Sequence, residues 1–295
     1  SYWLFTPKNA VENMPLIVYL HGGSGRGDDI QILLKNGLCL WTSQGEFDDI
    51  PAYIVFPQLA SKYKGGWADN KAGVQKLIAF LVRQYGIDTD RISLVGHSMG
   101  GTGTLAIAAA FPRLFSRIAP MSGSLSVTDE NVKALSSLPI WAFVGSKDTI
   151  VPPESSALIL DAVEQNGGEV KRTVFEGAGH FDIPELAFLD EELDVPGWLL
   201  EGKKENSILA VEGNTVTLRV QKPDSFRLIF ARYAQNGEMT DVYSVLYTGV
   251  YGLGQVTLPD TISLSEGDRL YLWNVSALRP ECAPFSIFLP TGAEE

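Results

Sequence analysis

The feature that most constrains the fold is an alternation between short apolar runs and helix-like patterns in the first two thirds of the chain. The runs are rich in β-branched or aromatic residues and stand directly before Gly, His or Pro: 16–20, 52–56, 92–95 and 140–144. Apolar residues also recur at helical spacing over 72–84, 99–111 and 154–165. Strands that are apolar throughout are expected where helices cover both faces of a parallel sheet. The sequence therefore predicts the α/β class, with a doubly wound, mostly parallel sheet.

The pattern changes near residue 203. Beyond it, short segments are separated by Gly, Asn, Asp and Pro: 215–220, 226–230, 242–247, 255–258 and 269–273. Short strands with turn residues between them are typical of an antiparallel sandwich. We therefore expect a catalytic domain at 1–202 and a small all-β accessory domain at 203–295.

Charge and cysteine content limit the partners. The chain has 35 acidic and 23 basic side chains, a formal charge of −12, and such a surface repels phosphate backbones and anionic lipid. No apolar run approaches the roughly 20 residues needed to cross a bilayer. Cys39 and Cys282 lie far apart, and no Cys/His cluster has zinc spacing. We expect no nucleic-acid partner, membrane insertion, disulfide, metal or cofactor, and the oligomeric state is left open.

Ser98 is the candidate nucleophile. It lies in Gly96-His97-Ser98-Met99-Gly100, directly after the predicted strand 92–95 and before a predicted helix. A Gly-x-Ser-x-Gly motif in this context places the serine on a sharp turn, where only glycines let the neighbouring backbone pass closely. The alternative is a structural turn, since such pentapeptides also occur by chance.

His180 is the candidate base, because a serine hydroxyl needs a group that removes its proton. The chain holds three histidines. His97 is inside the motif and His21 ends an early strand, where it is expected to brace a loop. His180 follows the predicted strand 173–175 downstream of Ser98, although a lone histidine is more often structural.

Asp148 is the candidate partner of the base. It follows the strand 140–144, and the chain order Ser98, Asp148, His180 is one of the known triad orders. Asp182 is the fallback, although it stands very close to His180 in sequence. A turn aspartate is the structural alternative for Asp148.

An oxyanion hole requires two backbone donors. We expect the N–H groups of Met99 and of Gly23, in the loop His21-Gly22-Gly23-Ser24-Gly25. A phosphate-binding loop is disfavoured, because the Gly-x-Gly-x-x-Gly spacing and a following Lys-Ser/Thr are missing. Trp67 and Phe181 are candidate apolar substrate contacts, with core packing as the alternative.

Together, 21–25, 96–101, 145–152 and 179–180 resemble the α/β-hydrolase superfamily, and most closely the bacterial secreted carboxylesterases. That group is similar to feruloyl and acetylxylan esterases, polyhydroxybutyrate depolymerases and esterase-type "predicted peptidases". The resemblance covers about 1–202 and implies a metal-free acyl-enzyme mechanism on esters. No long cap insertion is visible, so an open site is expected. The segments 269–274 and 278–282 resemble immunoglobulin-like modules of extracellular proteins.

The predicted function is a serine carboxylic-ester hydrolase acting on short-chain, acetyl or feruloyl esters, as small molecules or linked to carbohydrate. The resemblance also implies a secreted bacterial protein, and the start at Ser1 is interpreted as a trimmed or mature form. Two alternatives remain: a serine peptidase of the same fold, and a catalytically inactive extracellular binding protein.

Overall fold

The computed structural model describes residues 1–35, 37–222, 226–234, 236–247, 251–259, 261–262, 264–275, 279–280, 282 and 284–287. The chain divides into two compact units, Ser1–Lys204 and Glu205–Glu295. Lys204 stays with the first unit because its backbone N–H donates to Asp90 and its Nζ donates to the carbonyl of Thr89. The predicted boundary lies two residues earlier.

A seven-stranded sheet organises the first unit. Its strands are β1 (Tyr2–Phe5), β2 (Leu16–Leu20), β3 (Tyr53–Pro57), β4 (Ile92–His97), β5 (Arg117–Met121), β6 (Ile140–Gly145) and β7 (Val170–Phe175). The spatial order is β1-β3-β2-β4-β5-β6-β7. β1 runs antiparallel to β3 and the other neighbouring pairs are parallel, which confirms the predicted sheet.

Helices cover both faces of this sheet. They are α1 (Gly37–Gln44), α2 (Lys71–Tyr85), α3 (Met99–Ala110), α4 (Asp129–Leu135), α5 (Pro153–Gln165), α6 (Ile183–Phe188) and α7 (Val195–Glu201). Along β2, Leu16 and Val18 pack with α2, α3 and α5, whereas Ile17 and Tyr19 pack with α1, α6 and α7. Because alternate side chains enter opposite cores, every residue of β2 is buried.

The strand order places a crevice between β2 and β4. From β2 the chain moves outward to β3, then returns past β2 to β4 and continues to β7. The loops that follow β2 and β4 therefore leave in opposite directions, which opens a crevice at the carboxyl ends of these strands. Ser98 and the loop at 21–25 both lie at this point.

The second unit consists of short strands. They are β8 (Asn206–Glu212), β9 (Thr215–Val220), β10 (Phe226–Tyr233), β11 (Met239–Tyr247), β12 (Gly252–Thr257), β13 (Arg269–Asn274), β14 (Arg279–Pro280) and β15 (Phe285–Ser286). One antiparallel sheet has the order β12-β9-β8, and the other has the order β11-β10-β13-β14 with β15 also paired to β13.

This arrangement confirms the predicted β architecture after residue 204. Leu278 and Glu281, part of the segment that resembles an immunoglobulin-like module, lie outside the described residues. The immunoglobulin-like type of the unit stays a prediction. No helix in the described part of the chain is long and apolar enough to cross a membrane.

Candidate active site

Ser98 lies on a strained turn between β4 and α3. Its φ of +60° and ψ of −120° are sparsely populated for a residue with a Cβ, and such strain costs on the order of 1–3 kcal/mol. The surrounding backbone maintains it: the Ser98 N–H donates to the Met121 carbonyl at 2.9 Å, and the Thr102 N–H donates to the Ser98 carbonyl at 2.9 Å.

Two glycines of the motif make this turn possible. A Cβ on Gly96 would lie 2.6 Å from the Gly100 carbonyl oxygen, and a Cβ on Gly100 would overlap the Leu20 carbonyl oxygen. Backbone atoms cannot yield as a flexible side chain can. The glycines therefore allow β4, α3 and the end of β2 to touch, and this contact lifts Ser98 above the sheet.

Ser98, His180 and Asp148 form one hydrogen-bonded chain. His180 Nε2 is 2.8 Å from Ser98 Oγ, and His180 Nδ1 is 2.7 Å from Asp148 Oδ2. Ser98 follows β4, His180 follows β7 and Asp148 follows β6. Because these strands are parallel, their carboxyl ends, and therefore the three residues, lie at the same edge of the sheet. The fallback carboxylate, Asp182, instead accepts a hydrogen bond from the Gly179 N–H at 2.8 Å and braces the loop before His180.

Asp148 is buried and has four hydrogen-bond partners among the described residues. Besides His180, the Ser122 hydroxyl donates to Oδ2 at 2.7 Å, and the Ile150 and Val151 N–H groups donate to Oδ1 at 2.9 Å each. Burial raises the pKa of Asp148, but these hydrogen bonds outweigh it and hold the pKa below the ordinary value. The carboxylate is therefore ionised at neutral pH, which places the imidazole proton on Nδ1 and leaves Nε2 to accept.

His97, at the end of β4, contacts the backbone of His180. Its Nε2 is 2.8 Å from the His180 carbonyl oxygen, so the Nε2–H donates to that backbone group. The two rings lie 4.6 Å apart between centroids. Burial lowers the pKa of His97 to about 4, so the ring is neutral near pH 7.

The loop after β2 is built around His21. Its Nε2 accepts from the Leu59 N–H at 3.0 Å and its Nδ1–H donates to the Gly22 carbonyl at 2.6 Å. Burial lowers the pKa of His21 to about 4, which keeps Nε2 free to accept. A Cβ on Gly25 would lie 2.5 Å from the ring. These contacts agree with the predicted loop-bracing role of His21.

The two predicted oxyanion donors flank Ser98. Met99 is the first residue of α3, and the N–H of a first helical residue has no partner within its helix. The Gly22 carbonyl is held by His21, and in a trans peptide the Gly23 N–H points the opposite way. A Cβ on Gly22 would lie 3.5 Å from the Ser98 Cβ, whereas one on Gly23 would meet open space. The loop backbone at Gly22 therefore lies beside Ser98.

A cavity of about 600 Å³ opens beside these groups. Gly22, Gly23, Ser98 and His180 line one side of it. The opposite, apolar side is lined by Tyr19 of β2, Phe56 of β3, Ile32, Leu33, Cys39, Leu40 and Trp41. Sequence reasoning did not single out the segment 32–41, because an apolar stretch before a short helix carries no chemical signal.

The two predicted substrate contacts have different positions. Phe181 lines the cavity and is 77% exposed, with its ring edge-on to His180. Trp67 is 1% exposed and lies outside the lining. Its Nε1–H donates to the His21 carbonyl at 3.0 Å, and its ring packs beneath Gly103 of α3. The structure therefore does not bring Trp67 into the site, and its contacts are those of core packing.

Sequence reasoning missed the roles of Ser122 and His97. Ser122 follows β5, the strand between β4 and β6. Parallel strands end at the same edge of a sheet, and this argument, which selects Asp148, could also have indicated Ser122 if β5 had been predicted. His97 was assigned no part in the site, and only its contact with the His180 carbonyl reveals one.

The cavity contains a second potential nucleophile, Cys39. Burial raises the pKa of its thiol to about 12, so the reactive thiolate is not formed near neutral pH. Among the described residues, no group of three or more His, Cys, Asp or Glu side chains is arranged to hold a metal ion.

Known proteins resemble this chain in sequence and in fold. Residues 64–183, which include Ser98, Asp148 and His180, match the family described as "Putative esterase". A curated relative from Aquifex aeolicus (strain VF5), "Putative carboxymethylenebutenolidase", is 28% identical over 149 residues, covering 44% of this chain and 62% of the relative. "Acetylxylan esterase A" from Aspergillus awamori is 21% identical over 202 residues, covering 60% of each chain.

A solved structure, "Crystal Structure of a Thermostable Esterase", matches with a TM-score of 0.60 and 28% identity, over 68% of this chain and 59% of that chain. The matches thus span about three fifths of the relatives' own lengths. They confirm the predicted resemblance to esterases and the α/β-hydrolase fold.

Proposed function

We propose that this chain is a serine hydrolase of carboxylic esters, with Ser98 as nucleophile, His180 as general base and Asp148 as the orienting carboxylate. The observation that carries the proposal is the continuous hydrogen-bonded chain from Ser98 Oγ through His180 to Asp148, at 2.8 and 2.7 Å. This arrangement beside a cavity can form and hydrolyse an acyl-enzyme.

In the acylation half-reaction, Ser98 Oγ attacks the ester carbonyl carbon while its proton passes to His180 Nε2. The resulting imidazolium is stabilised by the ionised Asp148. The carbonyl oxygen becomes an oxyanion and accepts hydrogen bonds from the N–H groups of Gly23 and Met99, and the N-terminal end of α3 adds favourable electrostatic potential. The tetrahedral species then breaks its bond to the alcohol oxygen, which takes the proton from His180.

In the deacylation half-reaction, water takes the place of the alcohol. His180 removes a proton from this water as it attacks the acyl carbon, and the same two N–H groups hold the second oxyanion. The bond to Ser98 Oγ breaks, Oγ regains the proton from His180, and the carboxylic acid leaves. Every proton therefore returns to its starting position, and no metal or cofactor is required.

The substrate class is supported by the relatives. One curated relative is named an acetylxylan esterase, which supports short acyl esters, including those linked to carbohydrate, as the first substrates to test. Feruloyl esters and an extracellular bacterial location rest on the family resemblance alone and stay predictions.

The test combines turnover and covalent labelling. The wild-type chain should hydrolyse p-nitrophenyl acetate and react with a fluorophosphonate probe, and Ser98→Ala should lose both, with turnover reduced by about 10⁴-fold or more. The matched control is Ser43→Ala, which removes an exposed serine whose hydroxyl bonds only within α1 and which lies outside the cavity.

The same assay separates the alternatives. An unlabelled wild-type chain would favour the inactive binding protein, and faster cleavage of peptide anilides than of p-nitrophenyl esters would favour the peptidase. Retained turnover in a folded Ser98→Ala variant would refute the assignment of the nucleophile.

A further inference from the structure

The apolar side of the cavity contains a tyrosine hydroxyl without a hydrogen-bond partner among the described residues. Tyr19, in β2, lines the cavity and is only 7% exposed. None of the described residues forms a hydrogen bond to its Oη, and this atom is not among the fully enclosed polar atoms of the chain. The hydroxyl therefore keeps some accessible surface where Tyr19 lines the cavity. The mechanism proposed above does not use Tyr19.

The surroundings of Tyr19 are apolar. Its ring lies 5.8 Å from that of Phe56 and 6.2 Å from that of Phe188. Leu33 and Cys39 pack in the same core and line the same cavity with it. Aromatic rings and aliphatic side chains therefore surround Tyr19 where it lines the cavity, and such surroundings suit an apolar ring of a ligand.

A phenylalanine would fill the same space, so the hydroxyl is the one group of Tyr19 that packing does not require. Burial also raises the pKa of Tyr19, so the hydroxyl keeps its proton and can donate or accept. A buried polar group that lacks an internal partner and borders a ligand cavity is suited to bind a polar atom of the ligand.

We propose that Tyr19 is a specificity-determining residue, whose hydroxyl hydrogen-bonds an oxygen substituent on a ring-shaped apolar group of the ester. This inference rests on the proposed function, because it assigns the apolar side of the cavity to one side of the ester that Ser98 attacks. It adds that esters with an oxygen-bearing ring are preferred over equally large esters whose ring is wholly apolar.

The test uses two lengths of ring ester, methyl benzoates and methyl 3-phenylpropanoates, each with a methyl, hydroxyl or methoxy group on the ring. The readout is the ratio of kcat/KM for the oxygen-substituted ester to kcat/KM for the methyl-substituted ester. In at least one series the wild-type ratio should be about tenfold, because a site that offers a buried hydrogen bond discriminates against an analogue that lacks it. In Tyr19→Phe the ratio should fall to near one.

The control variant is Tyr53→Phe. Tyr53 is also a buried tyrosine of the sheet, but it packs against Tyr85 and lies outside the cavity lining. Its ratio should equal that of the wild type. Because each ratio compares two esters attacked by the same Ser98, a general loss of active enzyme does not alter it.

The wild-type series alone can overturn the inference, even if Tyr19→Phe folds poorly. If the wild-type chain hydrolyses these esters without preferring the oxygen substituents, or if Tyr19→Phe keeps the preference, Tyr19 is not the determinant and the proposed function stands. If the wild-type chain neither hydrolyses any ester nor reacts with the fluorophosphonate probe, the proposed function itself fails.

Discussion

On the Ser98 side of the cavity, the buried polar groups are joined to one another, whereas on the opposite side the Tyr19 hydroxyl has no partner among the described residues. Asp148 has four hydrogen-bond donors, and His180 is held by Asp148 through its ring and by His97 through its backbone. The same cavity is thus bordered by a hydrogen-bonded network on one side and by a hydroxyl without a protein partner on the other.

This difference in hydrogen bonding corresponds to two functions, proton transfer and substrate recognition. A group that must transfer a proton in a fixed direction is stabilised by partners inside the protein, so that its orientation does not depend on the substrate. A group that recognises a substrate should instead lack a hydrogen-bond partner inside the protein, because such a partner would compete with the ligand. On the Ser98 side of the cavity, we therefore expect the largest loss of activity when the charged carboxylate of Asp148 is replaced, and a smaller loss when one of its donors is removed.

The largest effect on the network side is expected from Asp148→Asn. An amide cannot stabilise the imidazolium of His180 and favours the wrong tautomer, so kcat for p-nitrophenyl acetate should fall by about 10⁴-fold. The matched control is Asp182→Asn, whose side-chain oxygen can still accept from the Gly179 N–H. A larger loss in Asp182→Asn than in Asp148→Asn would restore Asp182 as the partner of the base.

An intermediate effect is expected from acid, because the network side depends on two neutral histidines. His21 and His97 have pKa values of about 4 in the folded chain against an ordinary 6.5. Between these values the unfolded chain binds more protons, so the free energy of unfolding should fall as the pH drops from 6.5 to 4, by about 3 kcal/mol for each histidine. The pKa of Asp148 lies below its ordinary value of 3.8. The free energy that this carboxylate contributes to folding is therefore lost only at a pH below 3.8.

Urea unfolding at pH 7 and pH 4.5 measures this change. The imidazole proton resonances provide the control, because a chain with three histidines gives a simple spectrum. Two of the three should titrate near pH 4. If either His21 or His97 titrates near 6.5, its ring is not held neutral by burial, and the described packing on this side is wrong.

The smallest effect is expected from Ser122→Ala. The variant removes one of the four donors to Asp148 and leaves the bonds from His180, Ile150 and Val151. A hydrogen bond to a charged group contributes about 1.5–3 kcal/mol. Since three donors remain, we expect kcat/KM to fall by no more than about tenfold. Ser124→Ala removes a nearby hydroxyl that is not among those four donors, and it should keep the wild-type rate. Equal rates for both variants would show that the fourth donor is dispensable.

Local sequence patterns predicted the parts of this site that depend on chain order. The strand before Ser98, the glycines around it and the helix after it are adjacent in sequence, so their geometry follows from local backbone preferences. Asp148 and His180 could be selected because each follows a strand of the same parallel sheet. The structure brings these two predicted residues together with Ser98.

Residues whose roles depend on contacts between distant segments could not be predicted in this way. His97 acts on a carbonyl 83 residues away, and Trp67 turns inward to the His21 carbonyl, away from the cavity. Tyr19 reads in the sequence as one more apolar position of β2. Its unpaired hydroxyl becomes visible only after α1, β3 and α6 have closed around it.

The sequence by itself indicated the alternation of strands and helices, the turn at Ser98 and the candidate triad, because these follow from periodicity, turn chemistry and the direction of parallel strands. It did not indicate β5. The tertiary structure alone decided which buried polar groups have partners and which remain free, because hydrogen bonding between distant segments depends on how the elements pack. This difference in hydrogen bonding distinguishes the residues proposed to carry out the reaction from the residue proposed to select the ester.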